Sequence, residues 1–366
     1  MADEQTIEKV IVLQYSGKRR ETKSFTIGDV GIGSAYPVSI QSMTNTDTRD
    51  AQATLMQIRQ LADAGCQMVR VAVPDEEAAN ALKQICAESP VPVIADIHFN
   101  HRLALMAMDN GISSLRINPG NIGSEEKVRE VVSQAKAMQV PIRIGVNAGS
   151  LEKELLAKYQ HPTAEAMVES AMRHVRILED LNFDQIKISL KASDVPLMLD
   201  AYRLMAEKVE YPLHLGVTEA GNAKHGIVKS AIGIGTLLAE GIGDTIRVSL
   251  TGNPLQEIPV AKQILRSLDL YPKGVEIISC PTCGRTQIAL EQLVDAVDQM
   301  VSKVDKPLKL AVMGCVVNGP GEAREADLGI AGGKGEGLIF RKGEIIKKVP
   351  EAQLLVAFQE ELDKLL

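Results

Sequence analysis

Eight short runs rich in β-branched residues, separated mostly by stretches of helical period, fill most of this chain and leave few folds open to it. The runs are Val38 to Met43, Met68 to Val73, Val93 to Phe99, Ser114 to Asn118, Ile142 to Asn147, Gln185 to Lys191, Leu213 to Thr218 and Thr245 to Thr251. Asp50 to Ala64, Glu76 to Ala87, Leu103 to Asn110, Ser124 to Met138, Thr163 to Leu181, Pro196 to Val209, Ile227 to Glu240 and Leu255 to Leu268 carry apolar residues three and four apart, the spacing of one helical face. Strands alternating with helices imply parallel βα units. Eight units in about 230 residues is the size of a (β/α)8 TIM barrel. An open doubly wound sheet is the alternative.

The strands have an unusual polarity. Val69, Val71 and Val73 share one face and Arg70 the other; Leu115 and Ile117 oppose Arg116 and Asn118; Ile142, Ile144 and Val146 oppose Arg143, Gly145 and Asn147. The same holds for Lys187, Ser189 and Lys191, and for Arg247, Ser249 and Thr251, while Asp96 shares a face with His98 and His214 with Gly216 and Thr218. Branched faces pack on the surrounding helices, so the polar faces point into the barrel, where branched apolar residues normally sit. Arg70, Arg116, Arg143, Lys187, Lys191 and Arg247 against Asp96 is a charge excess that burial penalises unless an anionic guest arrives. Phosphate or diphosphate is the natural guest. The alternative is internal pairing, Asp96 with Arg70 or Arg116, or snorkelling to the rim. Ser249-Leu250-Thr251-Gly252-Asn253-Pro254 opens a helix with Pro in its first turn, a phosphate-binding arrangement, and Arg49 follows the first strand at the same mouth.

The βα rhythm stops near Leu270 to Gly274, which sets the domains at 1–270, a substrate-binding barrel with a polar N-terminal arm, and 271–366, a smaller α+β unit. In the second, Val275 to Ser279 and Leu308 to Met313 are strands that run straight into cysteine turns, Cys280-Pro281-Thr282-Cys283-Gly284 and Gly314-Cys315-Val316-Val317-Asn318-Gly319-Pro320-Gly321-Glu322. A helix over Thr286 to Val301, three short strands and a helix from Glu351 to Leu366 complete it. Two cysteines three apart and a third on another turn can cradle an iron–sulfur cluster one ligand short. Zinc is the rival, but no histidine follows His225 and Glu322 is the best-placed remaining donor. Cys66 and Cys86 read as buried packing.

Composition narrows the function classes. A formal charge of −7 gives no general attraction to nucleic acid or an anionic membrane, so an anion site must be local. Five cysteines in 366 residues do not make a disulfide framework and suit a reducing compartment. Val10 to Leu13 is too short for a signal or membrane segment, so a cytoplasmic, soluble protein is expected.

The motifs Ser39-Ile40-Gln41-Ser42-Met43-Thr44, Ala95-Asp96-Ile97-His98-Phe99, Leu115-Arg116-Ile117-Asn118-Pro119-Gly120-Asn121, Arg143-Ile144-Gly145-Val146-Asn147 and Gly216-Val217-Thr218-Glu219-Ala220-Gly221, with the two cysteine turns, span essentially the whole chain. Together they resemble the bacterial 4-hydroxy-3-methylbut-2-enyl diphosphate synthase family, iron–sulfur enzymes of the non-mevalonate isoprenoid route, in the short two-domain form. The resemblance implies a [4Fe-4S] cluster on Cys280, Cys283, Cys315 and Glu322. It implies reductive ring opening and dehydration of 2-C-methyl-D-erythritol 2,4-cyclodiphosphate, with flavodoxin or ferredoxin as electron donor and a homodimer as the assembly. It also implies that Arg49, Arg116, Arg143, Asn147, Lys191, Arg247 and Ser249 hold the diphosphate, with Glu219 near the reacting carbons as proton donor or electrostatic partner. Two other classes stand beside it: a barrel transferase resembling dihydropteroate synthase with a structural zinc domain, and a non-catalytic iron–sulfur sensor or scaffold.

Overall fold

The computed structural model describes residues 18–271, 274–315, 321 and 323–366, in two compact units that part after Tyr271. In the first unit a hairpin, β1 (Phe25–Ile27) and β2 (Val30–Ile32), precedes eight parallel strands. These are β3 (Ser39–Met43), β4 (Met68–Ala72), β5 (Val93–Asp96), β6 (Ser114–Ile117), β7 (Ile142–Asn147), β8 (Ile186–Lys191), β9 (His214–Leu215) and β10 (Thr245–Ile246). They pair in the order β8-β7-β6-β5-β4-β3-β10-β9. The two ends meet through a parallel bridge between Ile188 and Leu213, where Ile188 N–H donates to Pro212 O at 2.9 Å. The sheet is therefore a closed barrel, not an open doubly wound sheet.

Helices α1 (Ala51–Asp63), α2 (Glu76–Glu88), α3 (His101–Asp109), α4 (Glu125–Ala137), α5 (Lys153–Tyr159), α6 (Ala164–Asp180), α7 (Val195–Lys208), α8 (Ala223–Ala239) and α9 (Glu257–Arg266) surround it. Their buried stripes pack on the outward-facing Val69, Val71, Leu115, Ile117, Ile142, Ile144, Ile186 and Ile188, which form one apolar layer with them. Many of these helices start at a short polar residue that caps the first turn, among them Asp50 on Ala53 N–H, Asp75 on Ala78 N–H and Asp194 on Leu197 N–H. Such caps satisfy amides that the helix itself leaves unpaired.

Three local expectations are corrected. The stretch read as a polar arm contains the β1–β2 hairpin, whose Ile27 and Ile32 pack on Met68 and Ile94 at the first turns of β4 and β5. It closes the end of the barrel away from the loops; a hairpin of three-residue strands is too short for periodicity to reveal. Helix α5 interrupts what looked like a plain β7-to-α6 connection. Strands β9 and β10 are much shorter than the runs Leu213 to Thr218 and Thr245 to Thr251, because beyond Leu215 and Ile246 the chain leaves regular pairing and keeps only single bonds, Arg247 N–H to Leu215 O and Thr218 N–H to Ala192 O.

The second unit is a five-stranded mixed sheet, β11 (Val275–Ser279), β12 (Leu308–Met313), β13 (Leu328–Gly332), β14 (Glu336–Arg341) and β15 (Glu344–Pro350), paired in that order. The first three strands are parallel and the last two antiparallel. Helices α10 (Leu290–Val301) and α11 (Leu354–Asp363) cover one face with Leu290, Val297, Phe358 and Leu362. Among the described residues no helix is long and apolar enough to cross a membrane.

Candidate functional site

The inward polar faces are where the strand alternation puts them. Asp96, Arg116, Arg143 and Lys187 stand abreast on β5, β6, β7 and β8 as successive in-register partners, and Asn147 pairs with Lys191 two inward positions nearer the loops. Arg143 and Lys187 are each 1% exposed and Lys191 is 7% exposed. Like charges held side by side on neighbouring strands repel, and burial removes the water that would screen them.

Internal pairing accounts for part of the charge. Asp96 receives Arg116 at 3.3 Å and Arg70 at 3.6 Å. Burial alone would raise its pKa, yet Arg70, Arg116 and Arg143 together hold it below the ordinary carboxylate value. Arg116 also donates to Gly145 O at 2.8 Å, and Asn118 grips the same residue from both sides, donating to its carbonyl at 3.0 Å and accepting its N–H at 2.9 Å. Arg247 leans on Glu257 at 3.5 Å, and Met43 Sδ accepts from Arg70 at 3.0 Å and from Arg247 at 3.5 Å. Asp96 and Glu257 cannot together balance Arg70, Arg116, Arg143, Lys187, Lys191 and Arg247. Arg143 Nε and Nη1, Arg116 Nε and Lys187 Nζ are buried without an acceptor among the described residues.

Two glycines make the arrangement possible. A Cβ on Gly145 would lie 2.5 Å from Arg116 Nε, and one on Gly216 would lie 3.0 Å from Lys191 Nζ and 2.8 Å from Arg247 O. These positions leave room for the cations to lie across the lumen. Gly145→Ala is therefore expected to push the Arg116 guanidinium aside and weaken anion binding about tenfold, the worth of one charged hydrogen bond. Calorimetry with inorganic diphosphate as the probe checks this.

Burial pushes Lys187 and Lys191 well below the ordinary lysine value, and the neighbouring guanidinium groups push in the same direction. His214, wholly buried with Nδ1 2.7 Å from Thr245 Oγ1, is held well below its usual range by burial and by Arg143, Lys191, Lys187 and Arg70, and is neutral. The lumen is a desolvated positive field awaiting negative charge.

The other expected residues are distributed around the mouth. Asn147 ends β7, and Ser249 lies half-buried beyond β10. Glu219 is exposed with φ +51, a left-handed conformation that a side-chain-bearing residue adopts at a cost of about 1 kcal/mol or more. Arg49 is not free: Asp47 at 3.1 Å and Asp75 at 2.5 Å clamp it. Glu257, which no sequence pattern singles out, is buried at the start of α9 and accepts from Ser42 Oγ at 2.9 Å and Leu250 N–H at 3.1 Å as well as from Arg247. It ties β3, the loop after β10 and one lumen arginine together. A glutamate at the first turn of a helix looks like an ordinary dipole partner, which hid its role.

In the second unit Ser279 pairs with Val312, so β11 and β12 end side by side and deliver Cys280 and Cys315 to the same edge. Gly314 N–H donates to Cys280 Sγ at 3.1 Å. All three cysteines are free thiols. The Cys283 thiol lies below its ordinary value, chiefly through the Arg285 backbone N–H and further through the Arg285 guanidinium and Thr286. Soft thiols with amide donors aimed at sulfur are the donor chemistry of an iron–sulfur centre. Among the described residues no group of three or more His, Cys, Asp or Glu is gathered closely enough to hold a metal ion; Glu322 lies outside the described residues. Cys66 and Cys86 are pushed up to about 12 by burial, as packing cysteines should be.

Residues 22–262 match the GcpE TIM-barrel domain and residues 276–364 the GcpE protein C-terminal domain. The chain is 61% identical over 348 residues to the 4-hydroxy-3-methylbut-2-en-1-yl diphosphate synthase (flavodoxin) of Geobacter sulfurreducens, covering 95% of this chain and 99% of that one. It is 60% identical to the protein of the same name from Clostridium perfringens, with the same coverage. The Maridesulfovibrio salexigens protein of that name is 61% identical over 346 residues, 94% of this chain and 97% of its own. With both domains matched in order and near-complete coverage of these relatives, the chain belongs to the GcpE family.

Proposed function

We infer that the chain is an iron–sulfur oxidoreductase that converts 2-C-methyl-D-erythritol 2,4-cyclodiphosphate to 4-hydroxy-3-methylbut-2-enyl diphosphate. The observation that carries this reading is the barrel's row of buried cations without acceptors, in a chain of this family. A dianionic cyclic diphosphate supplies the charge that the lumen lacks.

In this reading Cys280, Cys283 and Cys315 hold a [4Fe-4S] cluster, with Glu322 as a fourth, weaker ligand. When bound, the cluster supplies electrons singly to a carbon–oxygen bond, which no side chain can do. The remaining work belongs to side chains. Arg116, Arg143, Lys191 and Arg247 fix the diphosphate, Asn147 and Ser249 donate to it, and Glu219 gives a proton to the departing hydroxyl so that it leaves as water. Arg49 joins by leaving Asp47 and Asp75, a cheap exchange because exposed ion pairs are worth about 0–1 kcal/mol. Over the reaction the substrate gains two electrons and a net proton, loses water, and its ring opens to a linear diphosphate with one more negative charge. The fixed cations are suited to that developing charge.

The barrel is then the substrate-binding domain and the second unit the cluster domain. Flavodoxin is the electron donor, a choice supported by the names of the relatives, which are flavodoxin-type synthases. A homodimer and a cytoplasmic setting belong to the same reading, on the strength of the family resemblance. The zinc-bearing transferase is not favoured by the family match. Iron and acid-labile sulfide in stoichiometric amounts in anaerobically purified protein support the proposed function; zinc without sulfide contradicts it.

A further inference from the structure

Lys187 belongs to the row of buried cations but is not among the residues set to touch the diphosphate. It sits two inward positions below Lys191 on β8, with Ser189 between them, 1% exposed and abreast of Arg143 on β7. Its Nζ touches neither solvent nor any hydrogen-bond acceptor among the described residues. The charged and titratable groups facing it are Arg143 from β7, Arg70 from β4, His214 from β9 and Asp244 from the segment before β10. Only Asp244 is negative, and its carboxylate is already taken. One oxygen accepts from Arg19 at 2.8 Å and Thr22 at 3.0 Å, the other from Leu213 N–H at 2.8 Å.

An ammonium in such a place has lost its hydration and gained neighbours of its own sign. Guanidinium groups keep their proton under these conditions, whereas a lysine can release one. Burial, reinforced by Arg143, accordingly drives Lys187 well below the ordinary lysine value, so the empty barrel favours loss of its proton. Lys191, nearer the mouth, is set to meet the anion directly. Lys187 can meet it only through the field.

We propose that Lys187 is a proton acceptor controlled by occupancy of the barrel: the diphosphate binds above it together with one proton, which becomes fixed at Lys187 Nζ. The negative charge above offsets the repulsion from Arg143 and makes the ammonium the favoured form. The same proton remains beneath the site to balance the additional charge of the ring-opened product. No covalent step is involved. Because the occupied site holds the proton more tightly than the empty one, affinity is greatest at pH values below the empty-site pKa of Lys187. It declines as pH rises through the occupied-site value.

The inference rests on the function proposed above, and one experiment separates the two. Binding of the cyclic diphosphate to the anaerobic holoenzyme is followed by calorimetry at fixed pH in buffers of different ionisation enthalpy. The wild type should take up about one proton more than Lys187→Met or Lys187→Arg, both of which still bind. The arginine variant keeps the charge and the stem, so it serves if the methionine variant does not fold. His214→Gln should leave the uptake unchanged. Equal uptake by wild type and the Lys187 variants, or loss of uptake in the His214 variant alone, overturns the inference while the function stands. Absence of any binding by the wild type overturns both.

Discussion

Cys283→Ala is expected to abolish turnover, by more than about a thousandfold, and to remove most of the iron from the purified protein, because a cluster that loses one of three thiolates is not retained. The result is interpretable because of where Cys283 lies. It is exposed on a turn, and an exposed substitution away from packing shifts stability by about 0.5 kcal/mol or less. Far-UV circular dichroism and the unfolding midpoint should therefore match those of the wild type stripped of its cluster, while iron and activity disappear. Cys86→Ala is the control: its thiol is held near 12 by burial, it packs on the barrel layer, and its loss should leave iron content unchanged.

Lys191→Met should separate stability from binding in opposite directions. With one cation gone from beside Arg143, Arg70, Arg247 and Arg116, the empty barrel should gain about 1–2 kcal/mol, since replacing buried charge by apolar volume is often stabilising. Affinity for the cyclic diphosphate should fall about 30- to 1000-fold, the equivalent of about 2–4 kcal/mol for truncating one partner of a buried, hydrogen-bonded charge pair. Differential scanning calorimetry of the empty protein and substrate titration read the two effects. A pH dependence follows with a definite sign. The unfolded chain binds more protons than the folded one between the depressed folded value of Lys191 and the ordinary 10.5, so stability of the empty wild type rises with pH across that window. The rise should be smaller in Lys191→Met.

The barrel was legible because period-2 strands and period-3.6 helices alternate through eight units, and the anion lumen was legible because each strand turns its branched residues outward. What escaped was of two kinds. The β1–β2 hairpin and the short strands β9 and β10 carry too few residues to show a period, and their structure is set by what they cap or pair with. Glu257, Gly145 and Gly216 act through distances of 2.5–3.5 Å to cations on other strands, which no local pattern encodes. Arg49 is a third case: its position at the mouth was readable, but its pairing with Asp75, a residue that also caps α2, was not. The cysteine turns were plain in sequence. The parallel register of β11 and β12, which brings two of the three thiols to one edge, was not.

In the proposed reaction the cations of the barrel and the thiols of the second unit serve one reductive ring opening. It is tested most directly by anaerobic incubation of the holoenzyme with the cyclic diphosphate and reduced flavodoxin, following phosphorus resonances and electrons consumed. The cyclic signals should give way to those of the linear allylic diphosphate, one molecule per two electrons. Oxidation of flavodoxin without linear product, or an unaltered cyclic diphosphate in the presence of an intact cluster, would contradict it.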